Sequence, residues 1–173
     1  FYLVVLSTFS TIIGNIQTPI ASPTPWIKSR IDFLKALPKR SIVAEIGVQR
    51  GYFSSAILEY TDPEHLYLID CWEEQSDGLY CDSGNVNQEH QEKNYLEVVE
   101  KFKDNPRVTI VRAYSPEITE AFKDEFFDWV YIDANHTYEN VCKDLYAWFS
   151  KIKTGGNICG HDYMFHEKYS FGV

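Results

Sequence analysis

The chain has 173 residues, 45% of them hydrophobic, and a formal net charge of −9 at pH 7. This length suffices for one domain with a sizeable core, and the composition is that of a soluble globular protein. The negative charge disfavours nucleic acid as a partner, because phosphate binding needs a basic face. The four cysteines form no C-x-x-C pair, which indicates reduced thiols in a cytoplasmic protein; a disulfide between Cys71 and Cys81 is the alternative in an oxidising compartment.

The first 25 residues form an apolar and proline-rich segment ahead of the main domain, which we place at residues 26–173. Phe1–Ile13 is too short for a membrane span and lacks the basic start of a signal peptide, so we expect it to pack against the domain. A membrane anchor or a secretory signal in these residues is the alternative. The next segment, Trp26–Leu37, has apolar residues at helical spacing and is predicted to be a helix that ends at Pro38.

A short apolar run, Ile42–Ala44, is followed by an acid, Glu45, and by two glycines, Gly47 and Gly51. The branched residues predict a buried strand, and Tyr52–Tyr60 predicts a helix. Glycine is needed where the backbone adopts a positive φ or approaches a ligand closely. The stretch therefore predicts the first half of a βαβ unit with a ligand at its turn; an ordinary tight turn in an α/β protein is the alternative.

The glycine turn departs from the dinucleotide fingerprint G-x-G-x-x-G, because Gln49 occupies the position of the middle glycine. Glu45 argues in the same direction, since a carboxylate at the end of the first strand repels a pyrophosphate. That carboxylate suits a ligand with positive charge and no phosphate, such as S-adenosylmethionine with its ammonium and sulfonium groups. An NAD-dependent oxidoreductase is the alternative for this turn.

The second predicted strand, Leu66–Asp70, again ends in an acid. Asp70 lies 19 residues after Gly51, where an acidic side chain bonds the hydroxyls of a ribose; a turn-forming Asp is the alternative. The polar stretch Cys71–Gln91 leaves the sheet at the edge where open α/β folds bind ligands, so we expect part of a lid there. A helix at Lys93–Phe102 follows.

Strands and helices continue to alternate to the end of the chain. This alternation predicts a mostly parallel, doubly wound, Rossmann-like α/β sheet with the strand order 3-2-1-4-5. In that order the fifth strand is expected to be an exposed edge. The remaining predicted elements are a third strand at Arg107–Val111, a fourth at Phe127–Ile132, a helix at Tyr138–Ile152 with a glycine cap within Lys153–Gly156, and a fifth strand at Asn157–Gly160.

Acids and histidines follow the fourth and fifth predicted strands, and parallel strands bring such residues to one edge of the sheet. Asp133, His161 and Asp162 offer oxygen and nitrogen ligands suited to a divalent cation, Mg²⁺ or Mn²⁺. The alternative is that Asp133 and Asp162 cap the helices that follow them. His136 titrates near neutral pH and is a candidate general base with Asp133, although neighbouring carboxylates raise a histidine pKa; a loop histidine bonded to backbone is the alternative.

Four segments together resemble the class I S-adenosylmethionine-dependent methyltransferases: VAEIGVQRG, LYLID, VYIDANHTYENVCKDL and KTGGNICGHDY. Within that class the resemblance points to the branch of the macrocin-type sugar O-methyltransferases, and it covers about Ile31 to Val173. It implies a Rossmann-like sheet, with adenine near Ser115. The cofactor-binding residues that it implies are Glu45, Gly47, Val48, Gly51, Asp70, Ser115 and Asp133.

The resemblance also carries expectations about metal, sheet and substrate. Metal-dependent relatives place an acid after strand four and an acidic pair after strand five; here Asp133 and the pair His161 and Asp162 stand there, with histidine in place of one acid. Related sheets have seven strands, and we expect strands six and seven to be absent, which leaves the domain incomplete at its C-terminus. The expected function is metal-assisted methyl transfer to a hydroxyl of a small-molecule acceptor such as a sugar, in a protein that can form a homo-oligomer. A non-catalytic domain that binds partners through its open sheet edge is the alternative.

Overall fold

The structure is a computed structural model that describes residues 4–7, 22–23, 29–76, 80 and 82–160. Within these ranges the chain alternates strands and helices around one sheet. In chain order the elements are β1 (Val4–Ser7), β2 (Ser22–Pro23), α1 (Arg30–Ala36), β3 (Ile42–Ile46), α2 (Tyr52–Thr61), β4 (His65–Asp70), α3 (Gln88–Phe102), β5 (Val108–Arg112), α4 (Ser115–Ile118) with a 3₁₀ turn (Thr119–Ala121), β6 (Phe127–Ile132), α5 (Tyr138–Phe149) and β7 (Ile152–Gly160). None of the helices in these ranges is long and apolar enough to cross a membrane.

The strands β3 to β7 pair in parallel in the order β5-β4-β3-β6-β7, which confirms the predicted order 3-2-1-4-5. β3 lies at the centre, where Glu45 is opposite Leu68 of β4 and Tyr131 of β6. These strands are apolar over most of their length because helices cover both faces of the sheet. Their carboxyl ends share one edge, so the loops that leave them meet there.

The expectation that the fifth parallel strand is an exposed edge is wrong. β1 pairs antiparallel with β7, from Val4 opposite Gly160 to Ser7 opposite Asn157, and β2 pairs in turn with β1. An unpaired strand presents a row of backbone donors and acceptors, and here another segment of the same chain occupies that row. The apolar N-terminal segment therefore contributes a strand to the sheet.

The predicted glycine cap within Lys153–Gly156 is also wrong. α5 ends at Phe149, and Lys153–Gly156 belongs to β7. The register between β6 and β7 shifts across these residues, so β7 bulges there. Gly155 has a φ of +83°, and a Cβ on Gly156 would lie 2.5 Å from the carbonyl oxygen of Asp128. The two glycines thus allow the bulge and do not end a helix.

The remaining elements lie at or near their predicted positions, with shifts at the ends. α3 begins at Gln88 rather than Lys93, because the side chain of Asn87 caps it. α1 begins at Arg30, with Ser29 as its N-cap residue. The start of α1 brings Arg30 to the carboxyl edge of the sheet, where it lines a cavity.

Two apolar layers, one on each face of the sheet, hold the fold together. One layer packs α1, α2 and α3 onto the sheet through the buried side chains of Phe33, Ile57 and Val98. The other packs α5 through Trp148, which is fully buried beside Phe127. Burying one such side chain contributes about 1.5–3 kcal/mol. The sheet is therefore a rigid frame whose carboxyl edge is left to loops.

The described cysteines are Cys71, Cys142 and Cys159, and all are free thiols. Burial raises the pKa of Cys71 to about 11, which makes this thiol unreactive at neutral pH. Cys81, its partner in the alternative disulfide, lies outside the described residues.

Candidate functional site

A cavity of about 500 Å³ opens at the carboxyl edge of the parallel strands. Its walls are the loops that follow β3, β4, β5 and β6, the first residue of α1, the start of α2, one residue of α3 and one side of α5. Ligands of open α/β sheets bind at this edge, in sites of about 300–1,000 Å³. The predicted site residues that line the cavity are Glu45, Gly47, Val48, Asp70, Ser115, Asp133 and His136. His161 and Asp162 lie outside the described residues.

Gly47 brings the turn after β3 against the loop after β6. Its φ is +85°, and a Cβ at this position would overlap the carbonyl oxygen of Asp133. Two backbone hydrogen bonds hold this arrangement: Gly47 N–H donates to Ile69 O at 2.9 Å, and Asp133 N–H donates to Ile46 O at 2.8 Å. Gly51, with a φ of +69°, is packed against α3 and supports the turn from outside the cavity wall.

Asp70 holds the glycine turn in place as well as lining the cavity. Its Oδ2 atom accepts hydrogen bonds from the N–H groups of Val48 at 2.8 Å and Gln49 at 2.9 Å. Its Oδ1 atom accepts from the N–H of Trp72 at 2.8 Å, which is the bond of a turn-forming Asp. The sequence predicted that Asp70 either binds a ribose or forms a turn. Its contacts within the protein are those of a turn-forming residue.

Glu45 is a buried acid among the residues that line the cavity, with 1% of its surface exposed. Burial raises its pKa to about 8; the hydroxyl of Ser54, which donates to Oε2 at 2.5 Å, acts against this rise, and the charges of Asp133 and Asp70 add to it. Most Glu45 side chains are therefore neutral at pH 7. A cation bound nearby would favour the carboxylate form.

Four side chains form a row of alternating charge across the cavity: Arg30, Asp133, His136 and Asp82, called here the charge row. Arg30 Nη1 lies 3.2 Å from Asp133 Oδ2, and His136 Nε2 lies 3.1 Å from Asp133 Oδ1. On the other side of the ring, His136 Nδ1 lies 3.2 Å from Asp82 Oδ2. The row joins α1, the loop after β6 and the loop after β4.

His136 is a cation at neutral pH in this arrangement. Burial lowers its pKa, but the hydrogen bonds and charges of Asp133 and Asp82 outweigh burial and raise the pKa to about 9. Both ring nitrogens are also occupied by carboxylates. A base at this position must therefore lose a proton first and exchange one carboxylate for its substrate.

In the polar loop after β4, the described residues 71–76, 80 and 82–87 are called here the lid segment, and several of them contact the loop after β6. Tyr80 Oη donates to the carbonyl oxygen of Ala134 at 3.1 Å, and Asn135 Nδ2 donates to Gln75 Oε1 at 2.6 Å. Asp82 adds its contact with His136. Sequence reasoning located this segment but missed Asp82, because nothing local distinguishes one acid of a polar loop from another.

A second group that the sequence did not reveal lies at the other end of the cavity. Ser115 Oγ donates to Asp144 Oδ1 at 2.5 Å and accepts from Trp148 Nε1 at 2.9 Å. Asp144 is 3% exposed, and burial raises its pKa to about 6, with a smaller contribution from the charge of Glu117. The available signal was an acid four residues before Trp148, which places both side chains on one side of the predicted helix.

The described residues do not fit a divalent metal ion. No group of three His, Cys, Asp or Glu side chains with a suitable arrangement is found among them. Asp133 holds a guanidinium on one carboxylate oxygen and an imidazolium on the other, so its charge is already balanced. The alternative of Asp133 as a helix cap is wrong, since Thr137 is the N-cap residue of α5. The metal prediction thus depends on His161 and Asp162, outside the described part of the chain.

Comparison with known proteins agrees with this geometry. A family model described as a methyltransferase domain matches residues 44–163. No curated protein matches the chain. Among solved structures, an S-adenosylmethionine-dependent methyltransferase from Mesorhizobium loti is 17% identical with a TM-score of 0.51, over 73% of this chain and 49% of that one. A candidate caffeoyl-CoA O-methyltransferase from Staphylococcus aureus is 18% identical with a TM-score of 0.56, over 83% and 62%. Spermidine synthase from Thermotoga maritima is 24% identical with a TM-score of 0.52, over 76% and 40%.

At these identities the solved structures establish the fold alone, and the chain spans about half the length of those it matches. The family model carries more weight, because it covers more than half of the chain and includes the glycine turn, Asp70 and the loop after β6. The chain therefore belongs to the methyltransferase domain family, and its sheet is that of the class I S-adenosylmethionine-dependent methyltransferases.

Proposed function

We propose that this domain transfers a methyl group from S-adenosylmethionine to a hydroxyl of a small-molecule acceptor, with sugars of the macrocin type as the first class to test. One observation carries the proposal. The turn that would hold the cofactor, at Gly47, is in backbone contact with Asp133, and the loop of Asp133 carries His136 three residues later. A methyl donor on the first loop would thus lie beside a proton acceptor on the second.

The described residues fit the cofactor. Gly47 has a positive φ and no side chain, which lets the turn contact the loop of Asp133 at the edge of the cavity, and the buried Glu45 carboxyl can ionise beside a cationic ligand. Asp70 lines the cavity next to the turn and is the proposed partner of the ribose hydroxyls. When bound, S-adenosylmethionine supplies a methyl group on a positively charged sulfur.

His136 is the proposed general base. It would accept the proton of the acceptor hydroxyl, while bound S-adenosylmethionine would supply the methyl group and its sulfur would keep the electron pair of the carbon–sulfur bond. The acceptor hydroxyl needs a free ring nitrogen of His136. We assign it Nδ1, the nitrogen that Asp82 contacts, since Asp82 lies on the lid segment. Asp133 stays, because Arg30 and its own bond to β3 hold it. Asp133 then orients the ring and stabilises the imidazolium that forms.

The test is a methyl-transfer screen of the full chain with hydroxylated acceptors, sugars included. With a responsive acceptor, His136→Gln is expected to lower turnover about 10²–10⁴-fold while the affinity for S-adenosylmethionine is kept. Exchanging the exposed His90 of α3 for Gln is the matched control and should change neither quantity. Unchanged turnover in His136→Gln would refute the assigned base.

The same assay run in excess EDTA tests whether turnover requires a divalent metal ion. Because Asp133 is balanced by Arg30 and His136, turnover is expected to survive chelation. Loss of turnover that Mg²⁺ or Mn²⁺ restores would instead place an ion at His161 and Asp162, and the base assignment to His136 would need to change.

Two alternatives are separated by calorimetry with S-adenosylmethionine and NAD. Tighter binding of NAD would support an oxidoreductase and overturn the proposal. Cofactor binding without turnover of any acceptor would favour a non-catalytic binding domain. The argument for a non-catalytic domain was an open sheet edge that could bind partners. That argument is weaker because β1 pairs with β7.

A further inference from the structure

The outer side of α5 presents an apolar surface, called here the α5 face. It consists of Tyr138, Cys142, Tyr146 and Phe149, which recur every three or four residues and so lie on one side of the helix. The three aromatic residues are 64%, 86% and 50% exposed in that order, whereas Trp148 of the same helix is fully buried. Half of the large hydrophobic side chains that are exposed among the described residues lie on this one face.

A groove of about 810 Å³ runs beside the α5 face, and its lining comes from α5 and from Pro116 of α4. Single apolar side chains are common on protein surfaces, but a contiguous apolar patch of a few hundred Å² marks an interaction site. The three aromatic residues together expose about as much surface as two complete aromatic side chains, roughly 300–500 Å². The α5 face thus has the size at which a partner is expected.

That area corresponds to one half of an interface between two copies of the chain. Two α5 faces would withdraw about 600–1,000 Å² from water through these aromatic residues alone. A stable interface buries about 1,200–2,000 Å² in total, and the groove and the charged side chains beside it supply further area. A two-fold interface uses the same patch on both sides, so its surface must be complementary to itself.

The charges beside the α5 face meet this requirement. The chain carries a net charge of −9, so two copies repel each other over most of their surface. In the groove, however, the charged lining residues are one acid and one base, Glu139 and Lys143, which pair at 2.7 Å. When two α5 helices pack antiparallel, the reversed direction brings Glu139 of one copy beside the partner's Lys143, and the same contact repeats across the axis.

We propose that the α5 face is the interface of a homodimer, in which two copies of α5 pack antiparallel about a two-fold axis near Cys142. The aromatic residues of each copy fill the groove of the other, and the two charge pairs fix the direction of packing. The inference concerns assembly and does not depend on the proposed reaction.

Sedimentation equilibrium of the full chain tests the interface. Wild type is expected to dimerise at micromolar concentrations. Tyr146→Glu places a charge in the α5 face and should raise the dissociation constant at least about tenfold. Leu96→Glu makes the same change at an exposed apolar residue of α3 and is the matched control, which should keep the wild-type constant.

Charge exchange tests the antiparallel arrangement. Glu139→Lys and Lys143→Glu each place like charges across the axis, so each variant alone should dimerise more weakly than wild type. An equimolar mixture of the two should form heterodimers more tightly than either variant dimerises by itself. A bis-maleimide should crosslink two wild-type copies through Cys142, and Cys142→Ser should abolish that crosslink.

Several outcomes would overturn the inference. One is a wild-type chain that stays monomeric at all concentrations; if its Cys142 also resists maleimide, another segment of the chain covers the α5 face. A dimer that Tyr146→Glu leaves intact, or that lacks the Cys142 crosslink, would place the interface elsewhere. A mixture without preference for heterodimers would refute the antiparallel packing. None of these measurements involves methyl transfer, so the inference can fail while the proposed function stands.

Discussion

Replacing Asp82 by Asn is expected to lower the pKa of His136 and to lower the free energy of unfolding at neutral pH. Asp82 Oδ2 is 3.2 Å from His136 Nδ1, and Asp133 Oδ1 is 3.1 Å from Nε2. Together these carboxylates raise the pKa of His136 from 6.5 to about 9. At 1.36 kcal/mol per pH unit this net rise corresponds to about 3 kcal/mol of stability, and Asp82, which contributes less to the rise than Asp133, accounts for up to about 1.5 kcal/mol of it.

The sign follows from the direction of the change in pKa. The pKa of His136 is higher in the folded chain than in the unfolded chain, so the folded state binds the proton more tightly. The stabilisation is fully present below pH 6.5 and is lost as the pH rises through about 9. The difference in unfolding free energy between wild type and His136→Gln should therefore be largest near pH 6 and small at pH 10.

Two measurements check this prediction. Histidine ring signals followed by NMR across pH 5–10 give the pKa of His136. The signal of His136 is assigned as the one that is missing from the spectrum of His136→Gln. Asp82→Asn should lower that pKa by up to about one pH unit, and urea unfolding at pH 6 should show a loss of up to about 1.5 kcal/mol. Glu74→Gln removes an exposed acid from the same lid segment but keeps an oxygen that can accept the hydrogen bond from Gln88 N–H, so it should leave both values unchanged. A wild-type His136 that titrates near 6.5, or one that ignores Asp82→Asn, would refute the reasoning.

Two further predictions concern the glycine turn. Because burial raises the pKa of Glu45 to about 8, binding of S-adenosylmethionine at pH 7 should release up to about one proton, measurable by calorimetry in buffers of different ionisation enthalpy. Glu45→Gln should abolish the release, and equal release from both proteins would contradict the assignment. Gly47→Ala should prevent folding or lower the melting temperature sharply, because its Cβ meets Asp133. Gly155→Ala shares the positive φ but has open space around it, so its cost should be only about 1–2 kcal/mol; similar melting temperatures for the two variants would refute the contact.

The parallel sheet and the position of the site were predictable because each of their signals is local. Runs such as Ile42–Ala44 and Phe127–Ile132 are short, apolar and branched, and each is followed by residues that leave the sheet. Strand and helix in alternation leave few arrangements other than a parallel sheet, whose carboxyl ends share an edge. The acids at Glu45, Asp70 and Asp133 could thus be placed together without any coordinates.

Features that depend on distant contacts could not be predicted in this way. The pairing of β1 with β7 joins residues that are about 150 positions apart, and a four-residue strand has no periodicity that reveals its partner. Gly155 and Gly156 resemble a helix cap locally, and only their pairing with β6 shows a bulge. Asp82 and Asp144 gain their roles from His136 and from Ser115, which lie more than 25 residues away in each case.

The acids of the cavity differ in their states, and these differences bear on the choice of ligand. Asp133 is balanced by Arg30 and by His136, so it offers little charge to a ligand. Glu45 is mostly neutral until a cation arrives, whereas Asp144, with a pKa of about 6, is ionised at pH 7. A dinucleotide would bring its pyrophosphate into this acidic cavity. Among the described residues, the cations that line the wall are Arg50 and the two members of the charge row, Arg30 and His136. S-adenosylmethionine carries positive charge and no phosphate, so it avoids repulsion by the acids, which is why the arrangement favours it over NAD.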